Sequence, residues 1–190
     1  WAADNALTRL EGYTAAEVPK RDSLMAASAL YAGFSLAHLG MAMCSAAIDL
    51  GPEMTNQQLF AAAETRFSKA LQYATTANVT AYKNAANVGL ARVRLYQGNK
   101  SGAATAAALV PSGFVLNGTA SDAESRRYNR VYHSNIYSRF YSVEDQSRNL
   151  LTGGVPDPRA KVINSGLRAA DGEISWQQQK YTAFGSPLPV

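Results

Sequence analysis

The chain has one cysteine, Cys44, two histidines, His38 and His133, and only 17% charged residues among its 190. A single thiol excludes an internal disulfide framework and any zinc site built mainly of cysteine. No Gly-x-Ser-x-Gly elbow, His-Glu-x-x-His pair or Gly-x-x-x-x-Gly-Lys-Ser/Thr loop occurs, so the usual signatures of acyl transfer, zinc hydrolysis and phosphate cradling are missing. The expectation is a protein that is not an enzyme and holds neither cofactor nor metal. The excess of positive charge is small, +4 with a pI near 9.2, which permits an acidic partner without demanding one.

Alanine and glycine are plentiful. The stretch NAANVGLARVRLYQGNKSGAATAAALV (Asn84 to Val110) has a small residue on nearly every turn. It reads as two short helices broken at Gly98-Asn99, with Gly98 in the left-handed position after the first helix. Small residues of this kind suit helices whose backbones approach closely. Upstream, Ala3 to Leu10 forms a first short helix, and Leu50 to Glu53, with Gly51 and Pro52, is a loop. Thr55 caps the helix that follows, Gln58 completing a capping box. Leu59, Phe60, Ala63, Phe67, Ala70, Leu71 and Ala74 then recur at helical spacing. The next helix starts at Asn78 or Thr80 and runs to about Gln97, and a shorter one over Lys100 to Val110 ends at Pro111. Ala-Gly-Phe at Ala32 to Phe34 and Val-Gly-Leu at Val88 to Leu90 suggest a degenerate repeat. The fold class expected is mainly α: tetratricopeptide-like antiparallel helical hairpins over residues 1–111.

Ser23 to Ile48 carries no charged residue and is long enough to span a bilayer. Its many Ala, Ser and Gly residues and His38 weaken that reading, and a helix buried among others is apolar all round. A buried scaffold helix is the preferred reading, with a transmembrane span as the alternative. Cys44 and His38, both within this run, are expected to be a small buried thiol and a hydrogen-bonded core or interface residue.

After Gly113 the chain becomes richer in Tyr, Arg, Ser and Asn. Residues 112–190 are expected to form an irregular, loop-rich region with little β, packed on the helices, and such surfaces often carry function. Tyr128, Tyr132, Tyr137, Tyr141 and Trp176 are the candidates for ligand contact, because a flat ring with a polar edge matches the apolar face and hydroxyls of a sugar. Arg126, Arg127, Arg130 and Arg139 are candidates for partner contact, since a planar guanidinium suits protein interfaces. Nucleic acid is not expected as a partner, no recognised motif accompanying the arginines. Asp157-Pro158-Arg159 reads as a turn whose arginine anchors a carboxylate or a backbone carbonyl.

Several segments in order resemble the SusD/RagB-like nutrient-uptake lipoproteins of the bacterial outer membrane. ALYAGFSLAHLG (Ala29 to Gly40) is similar to that family's long early helix, and MTNQQLFAAAETRFSKALQYA (Met54 to Ala74) to the helix after it. GLARVRLYQGNKSGAATAAALVPSGFVL (Gly89 to Leu116) resembles its helix, Gly-Asn break, second helix and Gly-aromatic-x-Leu exit. GVPDPRAKV (Gly154 to Val162) resembles its Asp-x-Arg segment, and Ser186 to Pro189 the approach to its next helix. Members are usually more than twice as long and begin at a lipidated cysteine; the resemblance implies that the chain corresponds to their central part, as an internal fragment or an incompletely traced chain, or is a shortened relative put to another use. The resemblance implies a non-catalytic substrate-binding partner of a TonB-dependent transporter, capturing oligosaccharides or peptides at the outer membrane and the cell surface. The alternative, from the small-residue helices and the short chain, is a helical-repeat accessory subunit that stabilises a larger, membrane-associated complex.

Overall fold

The computed structural model describes residues 1–189 and divides into two compact units, Trp1–Leu116 and the part from Asn117 on. The chain as a whole is α-rich, with modest β content in four separate two-stranded sheets.

The first unit holds α1 (Ala2–Glu11), α2 (Arg21–Ala42), α3 (Asn56–Thr76), α4 (Thr80–Tyr96) and α5 (Lys100–Ala108). Successive helices pack on one another, and α2 also reaches α4. Facing residues show that α2, α3 and α4 alternate in direction. Gly33 and Gly40 of α2 lie against Phe67 and Phe60 of α3, and Phe67, Glu64 and Phe60 of α3 meet Gly89, Arg94 and Tyr96 of α4. Rising numbers on one helix thus oppose falling numbers on the next.

The glycines make room for rings, which differs from the expectation of backbone meeting backbone. Phe67 is fully buried. A Cβ at Gly33 would lie 2.7 Å from its ring, and one at Gly89 closer still. The two glycines of the loose repeat therefore converge on one side chain from two helices. Phe34 closes the same space edge-on, its centroid 4.9 Å from that of Phe67. Lower in the stack Phe60 fills the gap at Gly40 and stacks on Tyr96 at 5.2 Å. Rings of this size supply much of a core's burial, and removing the opposing Cβ atoms lets them reach a close-packed arrangement.

The connections α3–α4 and α4–α5 have the same geometry. Asn78 (φ 53°) and Gly98 (φ 82°) are left-handed. Asn78 N–H donates to Thr75 O and Val79 N–H to Ala74 O; Gly98 N–H donates to Leu95 O and Asn99 N–H to Arg94 O. Both are Schellman motifs, which satisfy the last carbonyls of a helix and turn the chain sharply. Asn99 then caps α5, its Oδ1 accepting from Gly102 N–H at 2.9 Å. The capping box at Thr55 and Gln58 forms as expected, with both reciprocal bonds present.

The long apolar run does not stay helical to its end. It leaves α2 at Ala42, and Ser45–Ala47 (β1) pairs antiparallel with Glu53–Thr55 (β2). Asn56 Nδ2 donates to Gly40 O at 2.9 Å and Met43 O at 2.8 Å, capping carbonyls at the end of α2. Cys44 consequently lies outside the helix and is exposed, contrary to the buried thiol expected. His38 is likewise exposed, on the outer face of α2, its ring stacked beside Phe34 at 6.4 Å. Partial burial, reinforced by the nearby Arg92 guanidinium, pushes its pKa down. α2 is the one helix among the described residues long and apolar enough to cross a bilayer by length and composition. Here Met25, Leu30, Phe34, Leu36 and the small residues between them are buried within the unit.

The second unit is built of short pieces. β3 (Asn117–Gly118) pairs with β8 (Leu188–Pro189), bringing its first and last segments side by side. Between them come a helical turn at Arg130–Tyr132 that continues as a π turn at His133–Tyr137, and a further turn at Asp145–Arg148. The hairpin of β4 (Leu151–Thr152) and β5 (Val155–Pro156) precedes a larger one of β6 (Val162–Arg168) and β7 (Ile174–Gln178). Loops with a few short strands or helical turns were expected after Gly113, and this last hairpin is the largest β element there. β6 (VINSGLR) does not alternate between apolar and polar residues, and β7 alternates only over Ile174 to Gln177, with the polar Ser175 and Gln177 on the buried side, so the period-two signal is short and points to the wrong face.

Almost nothing apolar is buried in this unit. Ala169 is its one buried apolar residue among those described, whereas Asn129, Asn135, Ser175 and Gln177 are all buried. Asn135 Nδ2 donates to Tyr141 O and Trp176 O, both at 3.1 Å, while its Oδ1 accepts from Gln178 N–H at 2.9 Å. One amide thereby ties the π turn to the loop after it and to β7. Asn129 does the same nearer the end of the chain: Oδ1 accepts from Tyr132 N–H, Nδ2 donates to Ser186 O, and its own N–H donates to Phe184 O. Buried amides are tolerated because their donors and acceptors are satisfied.

Candidate functional site

The π turn and the segment held by Asn129 bring most of the aromatic candidates to one place. Tyr128 stacks on Phe184 at 4.2 Å, and Tyr132 and Tyr137 meet the same ring near edge-on, each at 5.0 Å. His133 is the second hub, its ring centroid 6.0 Å from those of Tyr128, Tyr137 and Phe184 and 6.3 Å from that of Phe140. Its Nε2 lies 3.5 Å from the Ser138 hydroxyl.

These rings divide by exposure. Tyr128 and Tyr132 are half-buried and spend their faces on Phe184. Tyr137 and Phe140 are 60% and 67% exposed, flanking His133. A supported edge therefore carries two open rings, one with a phenol, and can offer a stacking face with a hydrogen-bonding handle.

Tyr141 and Trp176 stand outside this cluster. They are joined to each other through their backbone carbonyls, both accepting from Asn135. The Tyr141 hydroxyl donates to Val131 O at 3.4 Å, and partial burial pushes its pKa up. The Trp176 ring is covered by the Arg148 guanidinium, 4.9 Å from its centroid.

The four arginines also differ. Arg126 is exposed and makes no ion pair among the described residues. Arg127 lies 3.8 Å from Glu124 and donates to the Thr119 hydroxyl at 3.2 Å, and Arg130 donates to Ser125 O at 3.0 Å. Arg139 is built into the fold. Its backbone is left-handed (φ 52°), its Nε donates to Arg168 O at 3.1 Å, and its carbonyl accepts from Ala170 N–H. It anchors the end of β6.

The Asp157-Pro158-Arg159 turn forms, and its arginine has a carboxylate partner. Arg159 N–H and Nε donate to Asp157 Oδ1, both at 2.9 Å, while its other nitrogen and the Thr152 hydroxyl donate to Oδ2. These bonds, Arg159 above all, hold the Asp157 carboxyl well below the usual carboxylate range. Among the described residues no group of three or more His, Cys, Asp or Glu is placed to hold a metal ion.

Phe184 had no mark in the sequence, standing alone in a polar, Gly- and Pro-containing stretch far from Tyr128. The Asn129 bonds to Phe184 O and Ser186 O, with the pairing of β3 and β8 beyond them, bring it under the tyrosines. The chain matches no family model, no curated protein and no solved structure.

Proposed function

We propose that this is a non-catalytic binding protein that captures oligosaccharide or peptide ligands on the open Tyr137–Phe140 edge. In this reading α2 to α5 are tetratricopeptide-like hairpins serving as scaffold. The protein acts as the substrate-binding partner of a TonB-dependent transporter at the outer membrane, as its resemblance to SusD/RagB-like proteins implies. The observation that carries the binding role is the ring cluster itself. Tyr128, Tyr132 and Phe184 hold one another in place behind two rings that remain open to solvent, so a ligand meets a platform whose ordering cost has already been met. Arg126 and Arg130 belong to the same stretch of chain and are the partner-contact candidates on that side. The repeated Schellman connections and alternating helix directions support the scaffold assignment.

Calorimetric titration with a panel of neutral oligosaccharides and short peptides tests the reading. Saturable heat is expected with at least one class, and Tyr137→Ala should weaken it about tenfold, the scale of one lost stacking contact. Tyr31→Ala, on the exposed face of α2, should leave it unchanged. Absence of heat across the panel, together with stoichiometric co-purification with a complex that contains no transporter, would favour the accessory-subunit alternative. That alternative draws on the first unit, whose ring-and-glycine packing makes a stiff support whether or not a nutrient is bound.

A further inference from the structure

Apart from the ring cluster, the second unit carries a groove of about 500 Å³ between the Asp145–Arg148 turn, the β4–β5 hairpin and the start of β6. That volume lies within the range of small-molecule sites, roughly 300–1,000 Å³. Its walls include Leu150, Leu151, Pro156 and Val162, and its cations are Arg148 and Lys161. Leu150 and Leu151 stay 45% and 61% exposed, so apolar surface faces the groove's open side instead of a core.

The charges of the groove do not cancel. Asp157, also in the lining, is neutralised by Arg159 through the paired bonds described above. Arg148 is likewise ion-paired, to Asp145, a carboxylate as exposed as the Arg159 guanidinium and screened by water to the same degree, so the excess positive charge is that of Lys161. The position of Arg148 is set by its Nε bond to Val143 O at 2.7 Å and by the Trp176 ring beneath it. Lys161 makes no ion pair among the described residues. An apolar channel with an uncompensated ammonium and a second, pre-positioned cation is complementary to an apolar body bearing one negative group.

We propose that this groove binds an amphipathic carboxylate, with the acyl chain along Leu150, Leu151 and Pro156 and the carboxylate on Lys161, assisted by Arg148. The site is separate from the Tyr137–Phe140 edge and stands whether or not that edge binds sugar. No bond is made or broken; the ligand is held by burial of its chain and by charge-assisted hydrogen bonds.

The test uses the whole chain carrying Trp1→Phe, so that Trp176 is the one remaining indole of the two. Sodium octanoate is titrated below its micellar range, with 1-octanol and octylamine as neutral and cationic counterparts, and read by indole fluorescence and by calorimetry. Octanoate should saturate at least tenfold more tightly than octanol, and octylamine should bind more weakly than either. Lys161→Gln should bring octanoate to the level of octanol and leave octanol unchanged; Leu151→Ser should weaken both. Circular dichroism identical to the parent establishes that each variant is folded. Failure of octanoate to saturate, equal binding of octanoate and octanol, or an unaltered response in Lys161→Gln would overturn the assignment. Excess oligosaccharide should not displace octanoate, and displacement would place both ligands at one site and refute the separation.

Discussion

Among the described residues, the buried side chains of the helical unit are Leu, Phe, Met, Val and many alanines, with Asn87 the single buried polar one, whereas from Asn117 to Pro189 four polar residues are buried and only one apolar, Ala169. The two units illustrate different ways of holding a chain. The first buries rings in gaps left by Gly33, Gly40 and Gly89, so its stability rests on transfer of apolar surface and on close packing. The second places asparagine amides at chain crossings, where each amide satisfies several backbone groups at once. Such a hub contributes mainly because leaving it unmade is costly. Both units leave large apolar side chains on their surfaces, Tyr31, Leu95 and Leu109 in the first and Tyr137, Phe140 and Leu151 in the second, so exposure alone does not distinguish them; the second differs in gathering its open rings over a supporting cluster.

Substitution of Phe67 tests the first half of this contrast most severely. Phe67→Ala should cost about 3–5 kcal/mol in urea unfolding, the range for truncating a buried ring. Gly89→Leu should cost at least as much in the parent and clearly less in the Phe67→Ala background, because the two compete for one space. Equal penalties in both backgrounds would show that the ring and the glycine are not coupled.

Asn135→Leu tests the second half. It is close in volume but removes the Asn135 side-chain partner of Tyr141 O and Gln178 N–H and one of the two donors to Trp176 O, which keeps Val143 N–H, at an expected cost of about 1–3 kcal/mol. Hydrogen exchange at the Gln178 amide should accelerate while exchange within α3 stays as in the parent. A variant as stable as the parent would mean that apolar contact, and not the amide, holds this unit together.

Smaller effects are expected at the helix ends. Asn99→Ala removes the side-chain cap on α5 and should cost about 1 kcal/mol, and Thr55→Ala about the same at α3. If either exceeded the Asn135 substitution, a helix cap in the first unit would matter more than the amide hub that ties the second together.

The smallest effect concerns pH. The folded-state pKa of His38 lies below the ordinary value of 6.5, so the folded chain favours the neutral ring. Its contribution is complete above about pH 6.5 and is lost as pH falls through the lowered folded value. Urea midpoints should therefore decline on acidification from neutrality, and His38→Gln should flatten that decline. A slope unaltered by the substitution would mean that the outer face of α2 is as open to water as the loops of the second unit.

Much of the helical unit was legible because its signals are local. Thr55 and Gln58 lie one helical turn apart, Gly98 sits at a left-handed position only a few residue types adopt readily, and the stripe from Leu59 to Ala74 repeats with the period of the helix. The run from Ser23 to Ile48 misled at its end. Nothing in Met43 to Ile48 forbids helix, and the pairing of β1 with β2, together with the Asn56 bonds to Gly40 O and Met43 O, is what turns the chain there. Cys44 was expected inside for the same reason. In the second unit, the tyrosines were visible as a composition, but their sorting into supported and open rings was not, since it depends on Phe184 and two buried asparagines whose partners lie far along the chain.

By itself the sequence determined the helices of the first unit apart from the end of α2, the cap at Thr55 and the break at Gly98, and the division between an alanine-rich and a tyrosine-rich region, because propensity, capping and periodicity act over a few residues. Tertiary structure alone decided that the glycines receive phenyl rings, that Asn129 and Asn135 become hubs, and that Arg148 and Lys161 face leucines across a groove. Those arrangements join residues distant along the chain, and a hydrogen bond or a close contact between such residues leaves no period in the sequence from which it can be read.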